Sequence, residues 1–251
     1  MKVFTSMTEW QAWRSNARVG PVGFVPTMGA LHAGHLSLVE ASKKQNAVTV
    51  VSIFINPEQF NDKADFAAYP TDNQKDLEQL ENAGVEVVIL PDSSQIYTDD
   101  YRFIVTENDH SKRLCGAHRA GHFDAVLTVV MRLLNLVRPD NAYFGEKDYQ
   151  QLQLIRDMVS AFFMPVKIVS CATVREADGL AMSSRNQGLD SNNRAKAATL
   201  YATLKQSRTA TEARQELTKN GFDVDYVEDI ANRRLAAAKL GNTRLIDNVE
   251  I

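Results

Sequence analysis

Cysteine is scarce in this chain: Cys115 and Cys171 are the only two among 251 residues. Each stands alone, so neither a zinc knuckle nor a disulfide framework can be assembled, and two reduced thiols are the expected state. A basic surplus is missing too. Lysine and arginine number 28 against 31 aspartate and glutamate, a net charge of −3. Broad nucleic-acid footprints show as an excess of positive charge, so no nucleic-acid partner is expected, whereas a small anion held by a few local cations is compatible. No apolar run is long enough to span a bilayer. The start, Met1-Lys2-Val3-Phe4-Thr5, lacks the apolar stretch of a signal peptide. These absences point to a cytoplasmic protein that does not engage membranes. Gly-x-Gly-x-x-Gly and Walker patterns are absent, no Ser-His-Asp order can be defended, and there is no internal repeat or low-complexity tract.

What remains is ordinary globular composition, 44% hydrophobic and 24% charged. The length fits one large domain, or one domain with a smaller appendage. Val22–Thr27 reads as a short strand, and a helical pattern begins at Leu36–Ala41. Val48–Ile55 is a continuous β-branched run suited to a strand buried on both faces, stopped at Asn56-Pro57. Thr71–Ala83 reads as a helix ending at Gly84, and Val85–Leu90 as another buried strand. Phe123–Val137 has helical spacing, Ala142–Phe144 is a short strand, Asp148–Phe163 an amphipathic helix and Val166–Cys171 a strand. Strands alternating with helices predict an α/β fold with a parallel sheet. Ligands in such sheets bind beyond the carboxyl ends of the strands. After Cys171 the texture turns polar and irregular, then helical and rich in Ala, Arg and Asn. A boundary near Glu176 divides a domain over 1–175 from a smaller one over 176–251.

The first strand runs into Met28-Gly29-Ala30-Leu31-His32-Ala33-Gly34-His35. Glycine lets the backbone approach a ligand closely. A helix N-terminus offers N–H groups and the positive end of a dipole, which suit a phosphate. Imidazoles there can donate to a phosphate as negative charge builds. As a bare pattern the two histidines also fit a surface loop; the strand before and the helix after favour function. Asn56 and Gln59 follow the second strand, and their amides suit a hydroxyl or a carboxylate, although Asn56-Pro57 alone reads as a capped turn. Gly145-Glu146-Lys147-Asp148 opens the next helix, with Gln151 further in. Glu146 and Asp148 complement the dipole, but Lys147 does not, which marks it as a point charge for a phosphate. Met182-Ser183-Ser184-Arg185 groups two hydroxyls with a forked cation, although a solvated loop with an N-cap serine is the commoner meaning of Ser-Ser-Arg. Arg113, Arg119 and His122 precede the long helix, and His122 also reads as a helix cap. Asp76 is a weak candidate for magnesium, with an exposed helical aspartate as the commoner reading.

Taken in order, Phe24 to His35, Asn56 to Phe60, Gly121 to Phe123, Phe144 to Asp148, Arg175 to Asn186 and Leu240 to Asn248 resemble the pantothenate synthetase family, pantoate–β-alanine ligases of the His-x-Gly-His nucleotidyltransferase superfamily. The resemblance covers nearly the whole chain. It implies a Rossmann-like domain over 1–175, a small C-terminal α+β lid over 176–251, a homodimer and Mg²⁺·ATP. It implies condensation of pantoate with β-alanine through pantoyl adenylate, releasing AMP and pyrophosphate. Carried over by residue, Met28 to His35, Gly145 to Asp148, Val174 and Met182 to Arg185 contact ATP. Gln59, Gln151, Asn56, Arg119 and His122 contact pantoate or β-alanine. His35, His32 and Lys147 are the catalytic candidates, with His35 the family's assigned proton donor, although charge stabilisation by the histidines fits the chemistry better than formal proton transfer. Thr71 stands where Arg is usual after Tyr-Pro, and Ala120 where Pro is usual. Lys75 beside Asp76 stands where an acid is common, which counts against a direct protein contact to magnesium. The stretch between Glu228 and Arg244 is short for the family. Two other readings fit parts of the pattern. Another small-molecule nucleotidyltransferase would not need Gln59 and Gln151. A non-catalytic nucleotide-binding protein would tolerate loss of a histidine or of Lys147.

Overall fold

The computed structural model describes residues 1–17, 19–61, 66–67 and 69–251. A six-stranded, all-parallel sheet is built from β1 (Lys2–Phe4), β2 (Val22–Thr27), β3 (Val48–Ile53), β4 (Val87–Ile89), β5 (Asn141–Gly145) and β6 (Lys167–Cys171). The strand order is β1-β4-β3-β2-β5-β6. The chain runs outward from β2 in one direction, then returns to β2 and runs outward in the other. The order therefore reverses between β2 and β5, the place beyond the strand ends where such sheets bind their ligands.

The expected strands and helices are present, with ends shifted by a residue or more: the strand expected at Ala142–Phe144 extends to Asn141–Gly145, and others are shorter than expected. Val48–Ile53 stops two residues before Ile55, and Val87–Ile89 is the paired core of the Val85–Leu90 run. Helix α1 (Met7–Asn16) and strand β1 were not legible in the sequence. The buried Trp10 of α1 donates its indole N–H to the Leu136 carbonyl at 3.0 Å, fixing α1 against the longest helix. Helix α2 (Ala33–Gln45) starts before the apolar pattern does, because His32 caps it. It lies close on β2: a Cβ at Gly23 would meet Ser42 Oγ at 2.1 Å, so only glycine fits that strand position. Helices α3 (Asn73–Asn82), α4 (His122–Val137) and α5 (Tyr149–Ala161) complete the crossovers. One apolar core forms where Val25, Leu38, Val39, Val51, Leu80 and Val88 meet.

The chain groups into two compact units, one of Met1–Gly145 with Gln150–Cys171, the other of Glu146–Tyr149 with Ala172–Ile251. The second unit carries helices α6 (Ser191–Ala197), α7 (Thr199–Gln206) and α8 (Ala210–Lys219) and an antiparallel sheet of β7 (Asp223–Ile230), β8 (Arg233–Leu240) and β9 (Thr243–Glu250). The helices pack Leu200, Leu204 and Leu217 onto Ala236, Ala238, Leu245 and Val249 of that sheet. Arg234, 1% exposed, is held by Asp229 and by the carbonyls of Leu204 and Ser207. No helix among the described residues is long and apolar enough to cross a membrane.

Candidate active site

Beyond β2 the chain enters the left-handed region twice in succession, at Gly29 (φ +80°) and Ala30 (φ +50°). Thr27 anchors the start of this loop. Its hydroxyl donates to the Ser52 carbonyl at 2.7 Å and accepts from the Gly29 N–H at 3.2 Å. Asp76 anchors the middle: one carboxylate oxygen accepts from the Ala30 N–H and the other from the Leu31 N–H, both at 2.8 Å. Asp76 is 2% exposed, so the expectation of an exposed helical aspartate is corrected. It projects from α3 under the loop, and both of its oxygens serve the backbone. No group of three or more His, Cys, Asp or Glu side chains suited to a metal occurs among the described residues.

The two histidines follow. His32 Nδ1 accepts from the Gly34 N–H at 3.1 Å, and His35 Nδ1 accepts from the His32 N–H at 3.4 Å. The pair forms a capping box, with the rings 4.1 Å apart. A ring nitrogen that accepts a hydrogen bond carries no proton, so in the neutral ring Nε2 bears the hydrogen. Two adjacent imidazoles are thereby held as Nε2–H donors at the start of α2.

A second group of the first unit centres on Gln59. His122 Nδ1 and Arg119 reach its carbonyl oxygen at 3.0 and 3.2 Å. An arginine only donates, so the Arg119 contact at 2.9 Å makes His122 Nε2 an acceptor and leaves the hydrogen on Nδ1. His122 is therefore not a helix cap: Gly121 is the N-cap residue of α4 and makes no side-chain bond. The Gln59 amide meets the Met28 sulfur. Asn56 is 1% exposed. Its oxygen accepts from the Tyr97 hydroxyl at 2.7 Å and the Glu58 N–H at 3.2 Å, and its amide donates to Gln59 Oε1 at 3.3 Å. It caps the turn Pro57–Gln59 and supports Gln59 from inside. Burial pushes the Tyr97 phenol up, so it remains a donor. Gln151 lies half-buried in the first turn of α5, and Gly145 ends β5. Arg113 stands apart, paired with Asp109 at the surface.

The second unit holds the remaining candidates. Lys147 sits half-buried in the single turn Glu146–Asp148, and its ammonium takes part in no hydrogen bond or ion pair among the described residues. The Asn248 amide donates to the carbonyls of Glu146 and Lys147 at 2.8 and 3.1 Å. Val174 accepts from the Met182 N–H at 3.0 Å, closing a hairpin-like loop. Ser183 is indeed an N-cap, accepting from the Arg185 N–H at 3.3 Å, whereas Ser184 is 8% exposed. Arg175 grips Asp247 through two bonds of 2.7 and 2.9 Å. Burial pushes the Asp247 carboxyl up, opposed by the Arg175 guanidinium. Asp76 was named only as a weak magnesium candidate and not as the support of the loop, and Tyr97, Arg175, Asp247 and Asn248 were not singled out as members of these groups. Their partners lie far along the chain, so no local spacing marks them.

A reversed parallel sheet, with a pair of histidine donors where its first central strand ends, defines the class: a nucleotide-binding α/β protein of Rossmann topology. The family model "Pantoate-beta-alanine ligase" matches residues 2–250. The chain is 53% identical to a pantothenate synthetase of Bdellovibrio bacteriovorus over 250 residues, covering 100% of this chain and 99% of that one. It is 48% identical to one from Legionella pneumophila, covering 99% of each. The pantoate–β-alanine ligase of Francisella tularensis, solved with β,γ ATP and β-alanine, superposes with a TM-score of 0.95 at 38% identity, covering 100% and 97% of the two chains. The pantothenate synthetase of Thermus thermophilus gives 0.91 at 39% identity, covering 100% and 99%. The chain belongs to the pantoate–β-alanine ligase family. The Bdellovibrio and Legionella relatives match almost end to end, so they share this chain's length.

Proposed function

We propose that the chain condenses pantoate with β-alanine to pantothenate in the cytoplasm, as a homodimer using Mg²⁺·ATP. The observation that carries the reading is the pair of imidazoles, His32 and His35, held as Nε2–H donors beyond β2. A pantoate carboxylate oxygen attacks the α-phosphorus, and the bond to the bridging oxygen of pyrophosphate breaks. The β-alanine amine then attacks the acyl carbon. The bond to AMP breaks, and the amine loses a proton.

Adenylyl transfer needs alignment and charge stabilisation more than protein nucleophiles. Met28 to His35 would hold the nucleotide, with the His32 and His35 N–H groups donating to phosphate oxygens as charge builds. Gly145 to Asp148, Val174 and Met182 to Arg185 would contact ATP, Lys147 and Arg185 as its cations. Gln59, supported by Asn56, Arg119 and His122, and Gln151 would orient pantoate and β-alanine. In this reading residues 1–175 bind ATP and pantoate and 176–251 act as a lid. Magnesium arrives on the nucleotide as part of the substrate. The Asp76 oxygens are engaged by the loop, and a hydrated Mg²⁺ bound chiefly through phosphates needs few protein ligands.

The test is release of pyrophosphate and AMP by purified protein with Mg²⁺·ATP and pantoate, with and without β-alanine. Pyrophosphate release that needs pantoate, with AMP turnover that needs β-alanine, is the expected result. Folded protein that releases no pyrophosphate with pantoate would overturn the proposal and favour another nucleotidyltransferase chemistry.

A further inference from the structure

The last strand of the second unit joins two segments that the proposed reaction uses. Successive strand residues point to opposite faces of a sheet. Asp247 and Asn248 are consecutive in β9 and 3% and 4% exposed. Asp247 lies on the face that carries Leu245 and Val249 toward the helices. There it takes the two-pronged grip of Arg175, whose guanidinium also donates to the Gly179 carbonyl at 3.0 Å and stacks 3.7 Å from the Tyr201 ring centre. Arg175 pairs across the loop with Ala181, next to Met182, so the Asp247 ion pair sets where Met182–Arg185 begins.

Asn248 turns to the other face. Its amide donates to two successive carbonyls, those of Glu146 and Lys147. Its own oxygen accepts from Arg233 at 2.6 Å, which fixes the amide orientation with the nitrogen toward the turn. Arg233 also bridges to the Glu146 carboxylate at 3.1 Å and packs 4.5 Å from the Tyr149 ring centre. The turn that carries Lys147 is thus pinned by its carbonyls, its acid and its aromatic ring to one sheet face.

We propose that Asp247 and Asn248 are positioning residues for the nucleotide, setting from opposite faces of β9 the two segments that carry Arg185 and Lys147. The proposal rests on the reading that Lys147 and Arg185 bind ATP phosphates. It makes β9 the frame in which two phosphate-binding cations of different segments share one register.

Steady-state kinetics on Asn248→Asp, Lys147→Ala and the double variant test it. Asn248→Asp keeps the side-chain shape but removes both donated bonds. It should raise the KM for ATP about tenfold, a change of about 1.4 kcal/mol, and leave the KM for β-alanine unchanged. In the Lys147→Ala background the same change should add less than about twofold, because its effect runs through Lys147. Likewise Asp247→Asn should be non-additive with Arg185→Ala. If Lys147→Ala leaves ATP kinetics intact, the ATP assignment falls and this proposal with it. If Lys147→Ala is impaired but Asn248→Asp is silent, or fully additive, only the positioning proposal falls. Should Asn248→Asp not fold, Arg233→Met removes both the support of Asn248 and the bridge to Glu146, and reads the same coupling to Lys147.

Discussion

The carboxylate of Asp76 accepts from the Ala30 N–H at 2.8 Å, across 46 residues of sequence. With the second oxygen on Leu31 N–H, α3 holds the loop that leads to His32 and His35. Two successive left-handed residues, one of them alanine, stand at the point of attachment. A non-glycine residue in this region costs about 1–2 kcal/mol, and the paired hydrogen bonds offset it. Asp76 acts on the histidines through backbone geometry.

Asp76→Asn tests this directly. One accepting oxygen becomes a donating NH₂ aimed at a backbone N–H, so a buried donor loses its partner. The expected loss is about 2–3 kcal/mol in chemical denaturation. Pyrophosphate release should fall by about tenfold or more at saturating ATP. Unchanged stability would mean that the loop holds its shape without the carboxylate.

Gly29→Ala is expected to be worse than Ala30→Gly, although the residues are neighbours. At Gly29 a Cβ would sit 2.9 Å from Asp76 Oδ2 and 3.1 Å from Ile53 Cγ2, in a backbone with φ +80°. Strain and displaced carboxylate together should cost about 2–4 kcal/mol. At Ala30 the change to glycine removes strain while adding freedom to the unfolded chain, two effects of about 1 kcal/mol that nearly cancel. Urea midpoints of the two variants separate these expectations.

The central strand β3 was legible in the sequence because it is buried on both faces and reads as an unbroken run rich in β-branched residues, Val48–Ile53, whereas the exposed edge strand β1 was not. The histidine loop was legible because its chemistry is local: ring, glycine and helix start lie within four residues. Strand β8 was not. Its Arg233-Arg234-Leu235-Ala236-Ala237-Ala238 stretch reads as helix by propensity, yet Ala236 and Ala238 are buried where the helices pack onto the sheet. Asp76 was misread for a similar reason. Asp72, Asn73 and Gln79 at helical spacing are polar, and although Leu80 one turn on is buried, nothing near Asp76 in sequence announces that a loop from β2 will cover it. His122, read also as a helix cap because it opens a helix, in fact meets the carbonyl of Gln59, 63 residues earlier.

Arg132 carries a pH-dependent prediction. It binds both oxygens of Asp99 at 2.7 and 3.1 Å, donates to the carbonyls of Ile96 and Phe103, and lies 5.0 Å from the Tyr97 ring centre. Its guanidinium holds the Asp99 carboxyl well below the usual carboxylate range. A depressed folded-state value means that the contribution to stability is present above the ordinary aspartate value of about 4 and is lost as pH falls through the depressed one. Arg132→Lys cannot reproduce the fork. The stability gap between the two proteins should therefore be full at neutral pH and shrink below about pH 4. The Asp99 side-chain carboxyl signal should titrate nearer its ordinary value in the variant, as followed by NMR.

His35 decides how the proposed chemistry works. Its Nδ1 accepts from the His32 N–H, which leaves a neutral ring donating through Nε2. A neutral imidazole stabilises a phosphate by hydrogen bonding, with no proton to give at the start of the reaction. Glutamine offers an acceptor and a donor at similar positions, so His35→Gln should keep about a tenth or more of the single-turnover rate of adenylate formation. His35→Ala removes both functions and should lose about 10²–10³-fold, the usual cost of one transition-state donor. A general acid predicts a different pattern, because neither glutamine nor alanine can deliver a proton, and both variants would then fall equally. In the proposed reaction pyrophosphate bound to magnesium would leave without one. Single-turnover pyrophosphate bursts for the two variants, read across pH 6–9, separate the roles: a wide gap between glutamine and alanine supports the donor, and equal losses overturn it.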